Sequence, residues 1–171
     1  KIINKIFLDS LKFKKPINFL VNNAGIRFRK NFIKISKKEL LNVFDINFFS
    51  IFLISQIFTK FLKKRKLNGS IINISSIVGQ IGFSELSTYG ASKGALIAFT
   101  KNLSAELANN KIRVNSISPG FTKTSYFEKF KKKSNLYKWT LSRIPLNRWG
   151  DPEEISNVIS FLLSEKAKYI T

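Results

Sequence analysis

Three short apolar runs, separated by long stretches of helical periodicity, constrain the fold of this chain more than any other feature. They lie at residues 17–21 (INFLV), 70–74 (SIINI) and 112–117 (IRVNSI), each bounded by turn-forming residues. Runs of this length and composition predict strands buried in a parallel sheet. Because strands that alternate with helices form βαβ units, we predict an α/β fold built on a parallel sheet.

The stretches around these runs predict the helices that cover the sheet. We predict helices at residues 1–11, 36–44, 47–66, 86–109, 126–143 and 152–164. Ser36 followed by Glu39 is the pattern of a capping box at a helix start. Asp151 followed by Pro152 favours a helix start in the same way, with an N-cap residue and then proline in the first turn. No linker or repeat interrupts the chain, so we predict a single domain over residues 1–171.

The absence of two residue types limits the kinds of site and reaction that this chain can support. The 171 residues include no cysteine and no histidine. This excludes disulfides, thiolate or imidazole metal sites, and hydrolases that use a histidine base. We therefore predict no metal site, and acid–base chemistry near neutral pH must come from Tyr, Lys, Asp or Glu.

The formal net charge of +20 raises the hypothesis of a nucleic-acid-binding module. Lys, Ile, Asn and Phe are all abundant together, however, and these residues share A/T-rich codons. We interpret the charge as a result of biased base composition, and we do not expect a nucleic-acid partner. Salt-sensitive affinity for DNA without enzymatic activity is the observation that would favour the alternative.

The most apolar segment, residues 46–62, is shorter than the ~20 residues that a membrane span requires, and polar residues interrupt it. We predict no membrane span. We interpret the segment as a helix buried on two sides, against its own sheet and against a partner subunit.

Tyr89 and Lys93 are the strongest chemical signal, because residues four apart share one face of a helix. A nearby ammonium favours the phenolate and lowers a phenol pKa from about 10 towards a range useful for proton transfer. In a lysine-rich chain such a pair is common by chance, usually as a solvated helix face. Small and polar residues follow all three predicted strands, at 22–25, 75–79 and 118–124. Ligands of α/β proteins bind at the carboxyl ends of strands, so these residues strengthen the catalytic interpretation of the pair.

In these motifs the chain resembles the short-chain dehydrogenase/reductase family. The matching segments are NNAG at 22–25, Asn47 within DIN, Ser76 within NISSIVG, YGASK at 89–93, RVNSISPG at 113–120 and DPEEI at 151–155. The resemblance implies a Rossmann-type doubly wound parallel sheet, truncated at both ends, with about strands 4 to 6 of about seven present. We accordingly expect residues 1–171 to be a partial domain that lacks the N-terminal βαβαβ half and the last strand.

The resemblance also implies an NAD(P)-dependent oxidoreductase that interconverts a carbonyl and a secondary alcohol. In that role Tyr89 is the general acid/base, Lys93 lowers its pKa and binds the nicotinamide ribose, and Ser76 donates to the substrate carbonyl. Asn47 positions a water that relays protons from Lys93. The implied cofactor-binding residues are Asn23, Ala24, Gly25, Tyr89, Lys93, Pro119, Gly120, Thr122 and Thr124. The cofactor is NAD or NADP, and the residue that selects between them is expected in the missing N-terminal part.

Two substrate classes stay open: a sugar or polyol, and a 3-oxoacyl thioester. The segment 121–143 resembles the family's variable lid over the substrate, with Tyr126, Phe127, Tyr137 and Trp139 as its aromatic residues. The family implies a homodimer or homotetramer through the helices at 47–66 and 86–109, in the cytoplasm. The alternative is that this chain is a catalytically inert fragment, unable to bind the cofactor by itself.

Overall fold

The computed structural model describes Asp9 and residues 17–171, so the predicted helix at 1–11 lies, apart from Asp9, outside the described residues. Within them, strands β1 (Phe19–Asn22), β2 (Gly69–Ile74) and β3 (Ile112–Ile117) form a parallel sheet in the order β1-β2-β3. The register aligns Asn22 with Asn73, and Ile74 with Ile117, so that all three strands end at the same edge. The predicted parallel α/β fold is confirmed.

The helices lie between and after the strands, as expected for βαβ units. They are α1 (Lys37–Phe44), α2 (Ser50–Arg65), α3 (Ser87–Leu107), α4 (Phe127–Lys131), α5 (Ser134–Ser142) and α6 (Pro152–Leu163). A π-helical turn, Asp45–Phe49, joins α1 to α2 without a break. The predicted capping box of Ser36 with Glu39 forms, and Asp151, the predicted N-cap, forms a second one with Glu154.

The core lies on both faces of β2, the central strand. On one face Ile71 packs with Phe58 and Leu62 of α2. On the other face Ile72 packs with Leu162 of α6. Helices therefore cover the sheet from two sides, which is the doubly wound arrangement.

The prediction that all three strands are buried is wrong for β1. Leu20 packs against the core, but Phe19 and Val21 point to the other face and are 45% and 38% exposed. Alternate residues of a strand point to opposite faces. The second face of β1 is therefore only partly covered, so the apolar run does not make this strand fully buried.

The predicted single helix at 126–143 is also wrong, because the chain divides it into α4 and α5 around Lys133, which has φ −90° and ψ 75°. The break lets both short helices contact one buried side chain, Trp149. Its ring centroid lies 5.2 Å from Phe127 and 6.2 Å from Tyr137. Tertiary packing around Trp149 thus replaces one long helix with two short ones.

The helical stretch Lys37–Arg65 is long and apolar enough to cross a membrane on length and composition, and an 18-residue window within it has a mean hydropathy of 1.6. In this fold it contributes Ile51, Phe58 and Leu62 to the buried core. The opposite side of the same helix carries exposed Phe52 and Leu53. One face of the helix therefore packs against the sheet and the other is a solvent-facing apolar surface.

Candidate active site

The carboxyl ends of the three strands open into a cavity of about 360 Å³. Most of the residues that the sequence singles out line it: Asn23, Gly25, Ser76, Tyr89, Lys93, Pro119, Gly120, Thr122 and Thr124. Ala24 and Asn47 do not line the cavity. The fold thus brings side chains from three separate strand ends, and from α3, to one place.

Lys93 places a cation at the floor of this cavity. Its side chain is almost fully buried, and its Nζ donates a 2.7 Å hydrogen bond to the backbone carbonyl of Ile74, at the end of β2. Burial penalises the charged form, and it lowers the pKa of Lys93 from 10.5 to about 8.

Asn47 joins the loop after β1 to helix α3 by hydrogen bonds. It is fully buried in the π-helical turn, where its Oδ1 accepts from the Ile26 N–H at 2.8 Å. Its Nδ2 donates to the Ile26 carbonyl at 3.0 Å and to Ser92 Oγ at 3.1 Å. Ser92 in turn donates to the Tyr89 carbonyl at 2.8 Å. The amide therefore fixes the loop relative to the helix that carries Tyr89 and Lys93.

Gly25 allows this loop to lie directly against the buried polar groups. A Cβ built on Gly25 would lie 3.3 Å from Asn47 Oδ1 and 3.4 Å from Lys93 Nζ. The first distance is tighter than ordinary packing and the second is van der Waals contact, so a side chain here would push the Asn47 amide away and touch the ammonium. The absence of a side chain leaves room at the floor of the cavity for a ligand to approach the backbone.

Ser76 is held close to α3 by the turn that follows it. The residue has extended backbone, and its Oγ accepts from the Val78 N–H at 3.2 Å at the start of the turn Ile77–Gly79. A Cβ at Gly79 would lie 2.8 Å from the Lys93 carbonyl carbon, so only glycine lets the turn pack directly on α3. The neighbouring Ser75 Oγ donates to the Lys93 carbonyl at 2.9 Å. These contacts fix Ser76 relative to Lys93.

Four aromatic side chains also line the cavity. They are Phe83, Phe121, Tyr126 and Trp149. Trp149 is buried, and its indole N–H donates to Thr140 Oγ1 at 2.8 Å. Trp139, which the sequence favours as a lid residue, does not line the cavity and packs on Phe83 at 6.2 Å.

Sequence reasoning assigned no role to several of the lining residues, among them Arg27, Phe83 and Trp149. Each of these three lies in a loop that only the tertiary fold brings to the cavity. A tryptophan next to Gly150 in an otherwise polar loop is the one signal that could have indicated a buried anchor. Among Asp9 and residues 17–171, no cluster of three or more Asp or Glu residues forms a metal site.

Comparison with known proteins agrees with this geometry. A family model described as enoyl-(acyl carrier protein) reductase matches residues 3–171. The chain belongs to the short-chain dehydrogenase/reductase family.

Curated relatives cover two kinds of reductase. The chain is 40% identical over 155 residues to 3-oxoacyl-[acyl-carrier-protein] reductase FabG of Thermotoga maritima, covering 91% of this chain and 62% of that protein. It is 37% identical over 155 residues to 5-keto-D-gluconate 5-reductase of Escherichia coli, covering 91% of this chain and 61% of that protein. The chain thus spans about three fifths of the length of these relatives.

Solved structures share the fold closely. A 4-hydroxyisoleucine dehydrogenase complexed with NADH superposes with a TM-score of 0.91 at 34% identity, covering 99% of this chain and 70% of that one. A candidate 2-deoxy-D-gluconate 3-dehydrogenase from Agrobacterium tumefaciens, with bound NADP, gives a TM-score of 0.88 at 32% identity, covering 98% and 69%. The Rossmann-type fold is confirmed.

Proposed function

We propose that the protein is an NAD(P)-dependent oxidoreductase that interconverts a carbonyl and a secondary alcohol. The observation that carries this proposal is that Ser76, Tyr89 and Lys93 line one cavity at the carboxyl edge of a parallel sheet. Relatives that are named reductases, and solved neighbours described with NADH or NADP, support it.

The residues around the cavity fit a nicotinamide cofactor. Gly25 and Gly120 present backbone without side chains, and the nearest atom to a Cβ at Gly120 would be Ile77 Cδ1 at 3.8 Å. We propose that the cofactor is held by Asn23, Ala24, Gly25, Tyr89, Lys93, Pro119, Gly120, Thr122 and Thr124. A bound NAD(P) supplies or accepts the hydride, while the protein supplies position and charge.

Tyr89 is the proton donor and acceptor in this proposal. No carboxylate lines the cavity among the described residues, so Tyr89, Tyr126 and Lys93 are the groups there that can exchange a proton with a substrate oxygen. The Lys93 ammonium already donates to the Ile74 carbonyl, which favours the two phenols. Tyr89 lies one helical turn before Lys93 on α3, and Lys93 lines the cavity, whereas the lysines closest in sequence to Tyr126, Lys123 and Lys129, do not line it. An ammonium one turn away stabilises the phenolate that forms when Tyr89 gives up its proton.

Ser76 and Asn47 support this proton transfer in different ways. The Ser76 hydroxyl donates to the substrate oxygen, where negative charge develops during reduction. The side-chain amide of Asn47 is hydrogen-bonded to Ile26 and Ser92. Its contribution through that amide is to position the helix, and the water relay expected from the family stays a prediction.

The substrate is a sugar or polyol, or a 3-oxoacyl thioester, in keeping with the two kinds of relative. The proposal is tested by following NADH and NADPH oxidation by the protein expressed from its complete reading frame, with carbonyl compounds of both classes. Turnover of either class supports the proposal. A protein that binds the cofactor but reduces no carbonyl compound contradicts it.

A homo-oligomer is the second part of the proposal. Phe52 of α2 and Phe99 of α3 stack at 5.2 Å, with exposed Phe49 and Leu53 beside them. An exposed apolar surface of this kind, shared by two helices, favours burial against a second copy. We propose that α2 and α3 form the subunit contact of a dimer or tetramer.

A further inference from the structure

The charged side chains that line the cavity indicate what charge a substrate should carry. Among the described residues, Arg27 and Lys93 are the charged side chains that line it, and both are cations. The ammonium of Lys93 already has a partner, since it is buried and donates a hydrogen bond to the Ile74 carbonyl. Arg27 is exposed to the cavity and carries the remaining positive charge.

The loop that carries Arg27 is held at both ends. The Ile26 backbone is bonded to Asn47 through both its N–H and its carbonyl. Beyond Arg27, the Lys30 N–H donates to the Glu85 carbonyl at 2.9 Å. The backbone that carries the guanidinium is therefore fixed. A preorganised segment lowers the entropy cost of binding a small ligand.

Arg27 differs from its neighbours in having no carboxylate partner in the described part of the chain. Arg29 pairs with Glu85 at 2.8 Å, and Lys30 pairs with Glu39 at 2.6 Å. The Arg27 guanidinium instead lies 5.8 Å from the ring centroid of Phe130, on the lid side of the cavity. A cation–π contact at an exposed site is weak, so an anion displaces it readily.

We propose that Arg27 binds a carboxylate of the substrate, and therefore that the enzyme acts on small oxo acids or hydroxy acids, such as sugar acids. This rests on the proposed function. A guanidinium binds a carboxylate through two parallel, charge-assisted hydrogen bonds. A single unpaired guanidinium matches a monoanionic carboxylate better than a phosphate dianion, because the nearby cation Lys123 is already paired with Asp151 at 3.0 Å.

The test uses a pair of ketones that differ only in charge, 4-oxopentanoate and its methyl ester, with the protein from its complete reading frame. The variants are Arg27→Gln, Arg27→Lys, and Arg29→Gln as the matched control, since Arg29 belongs to the same loop but is paired and does not line the cavity. In Arg27→Gln we expect the ratio of kcat/KM for the acid to that for the ester to fall about tenfold to a hundredfold. Arg27→Lys should retain part of the preference, and Arg29→Gln should leave the ratio within about twofold.

Equilibrium binding separates this proposal from the catalytic one. Calorimetry with succinate and with inorganic phosphate needs no turnover. If Arg27→Gln binds succinate at least tenfold more weakly than wild-type, the carboxylate site is supported, even if no ketone is reduced. The absence of ketone reduction would contradict only the proposed function. Three results would overturn the assignment. They are equal succinate binding by wild-type and Arg27→Gln, tighter binding of phosphate than of succinate, and an Arg27→Gln defect confined to the KM of NADH or NADPH.

Discussion

The ammonium of Lys93 donates a 2.7 Å hydrogen bond to the backbone carbonyl of Ile74, the last residue of β2. This bond holds a buried cation where the sheet opens into the cavity. Burial lowers the pKa of Lys93 to about 8, against 10.5 for an exposed lysine. The charged state of this side chain therefore changes within an accessible pH range.

Stability should depend on pH through Lys93. Between pH 8 and 10.5 the unfolded chain keeps the proton that the folded protein has lost, so the free energy of unfolding rises with pH across this window. The cost of burying the ammonium, up to about 3 kcal/mol below pH 8, is removed above it. Urea unfolding of wild-type and Lys93→Met between pH 7 and 11 measures the effect. The variant should lose this part of the slope, and identical slopes would contradict the account.

Gly25→Ala should impair activity more than stability. The added methyl group would lie 3.3 Å from Asn47 Oδ1 and 3.4 Å from Lys93 Nζ, and should push the Asn47 amide away. We expect kcat/KM to fall about tenfold, with less than about 1 kcal/mol lost in the free energy of unfolding. Gly82→Ala is the control, because a Cβ there meets nothing within 4 Å. Equal activities of the two variants would show that Gly25 has no special role.

Thr140→Val should destabilise the lid. It removes the acceptor of the Trp149 indole N–H and leaves a buried donor unpaired. Such a loss costs about 1–3 kcal/mol. Denaturant unfolding measures it, with Ser142→Ala as the control, because that hydroxyl is exposed and bonds only the Trp139 carbonyl within its own helix. A Thr140→Val protein as stable as the Ser142→Ala protein would contradict the role assigned to the indole bond.

Phe52→Lys should dissociate the proposed oligomer. A charge placed on the apolar surface formed with Phe99 would have to be buried against the second copy, at a cost of several kcal/mol. Sedimentation should show a shift towards monomer at micromolar concentration. Ile33→Lys is the control, since Ile33 is 85% exposed on a separate turn. Wild-type protein that sediments as a monomer would contradict the proposed interface.

The sequence was sufficient for features that depend on local chemistry. The capping box of Ser36 and the N-cap at Asp151 depend only on residues in the first turn of a helix, and both form. The strand ends followed by small and polar residues also meet at one cavity, because parallel strands end at a common edge. Ser76 and Tyr89 both line that cavity.

The features that the sequence did not indicate depend on distant packing. The break at Lys133 exists because two helices contact Trp149, and helical periodicity carries no record of that contact. Arg27 is one cation among many in the sequence. Only the fold shows that it lines the cavity without a carboxylate partner in the described residues, whereas Arg29 is paired.

The most direct test of the central claim is the turnover of Tyr89→Phe beside Tyr126→Phe, in protein from the complete reading frame. Both phenols line the cavity, but only Tyr89 lies one turn before Lys93. We predict that Tyr89→Phe lowers kcat at least about a hundredfold, that its Kd for NADH or NADPH stays within about threefold of wild-type, and that Tyr126→Phe keeps most of its activity. Retained turnover in Tyr89→Phe would contradict the assignment of this tyrosine as the general acid/base.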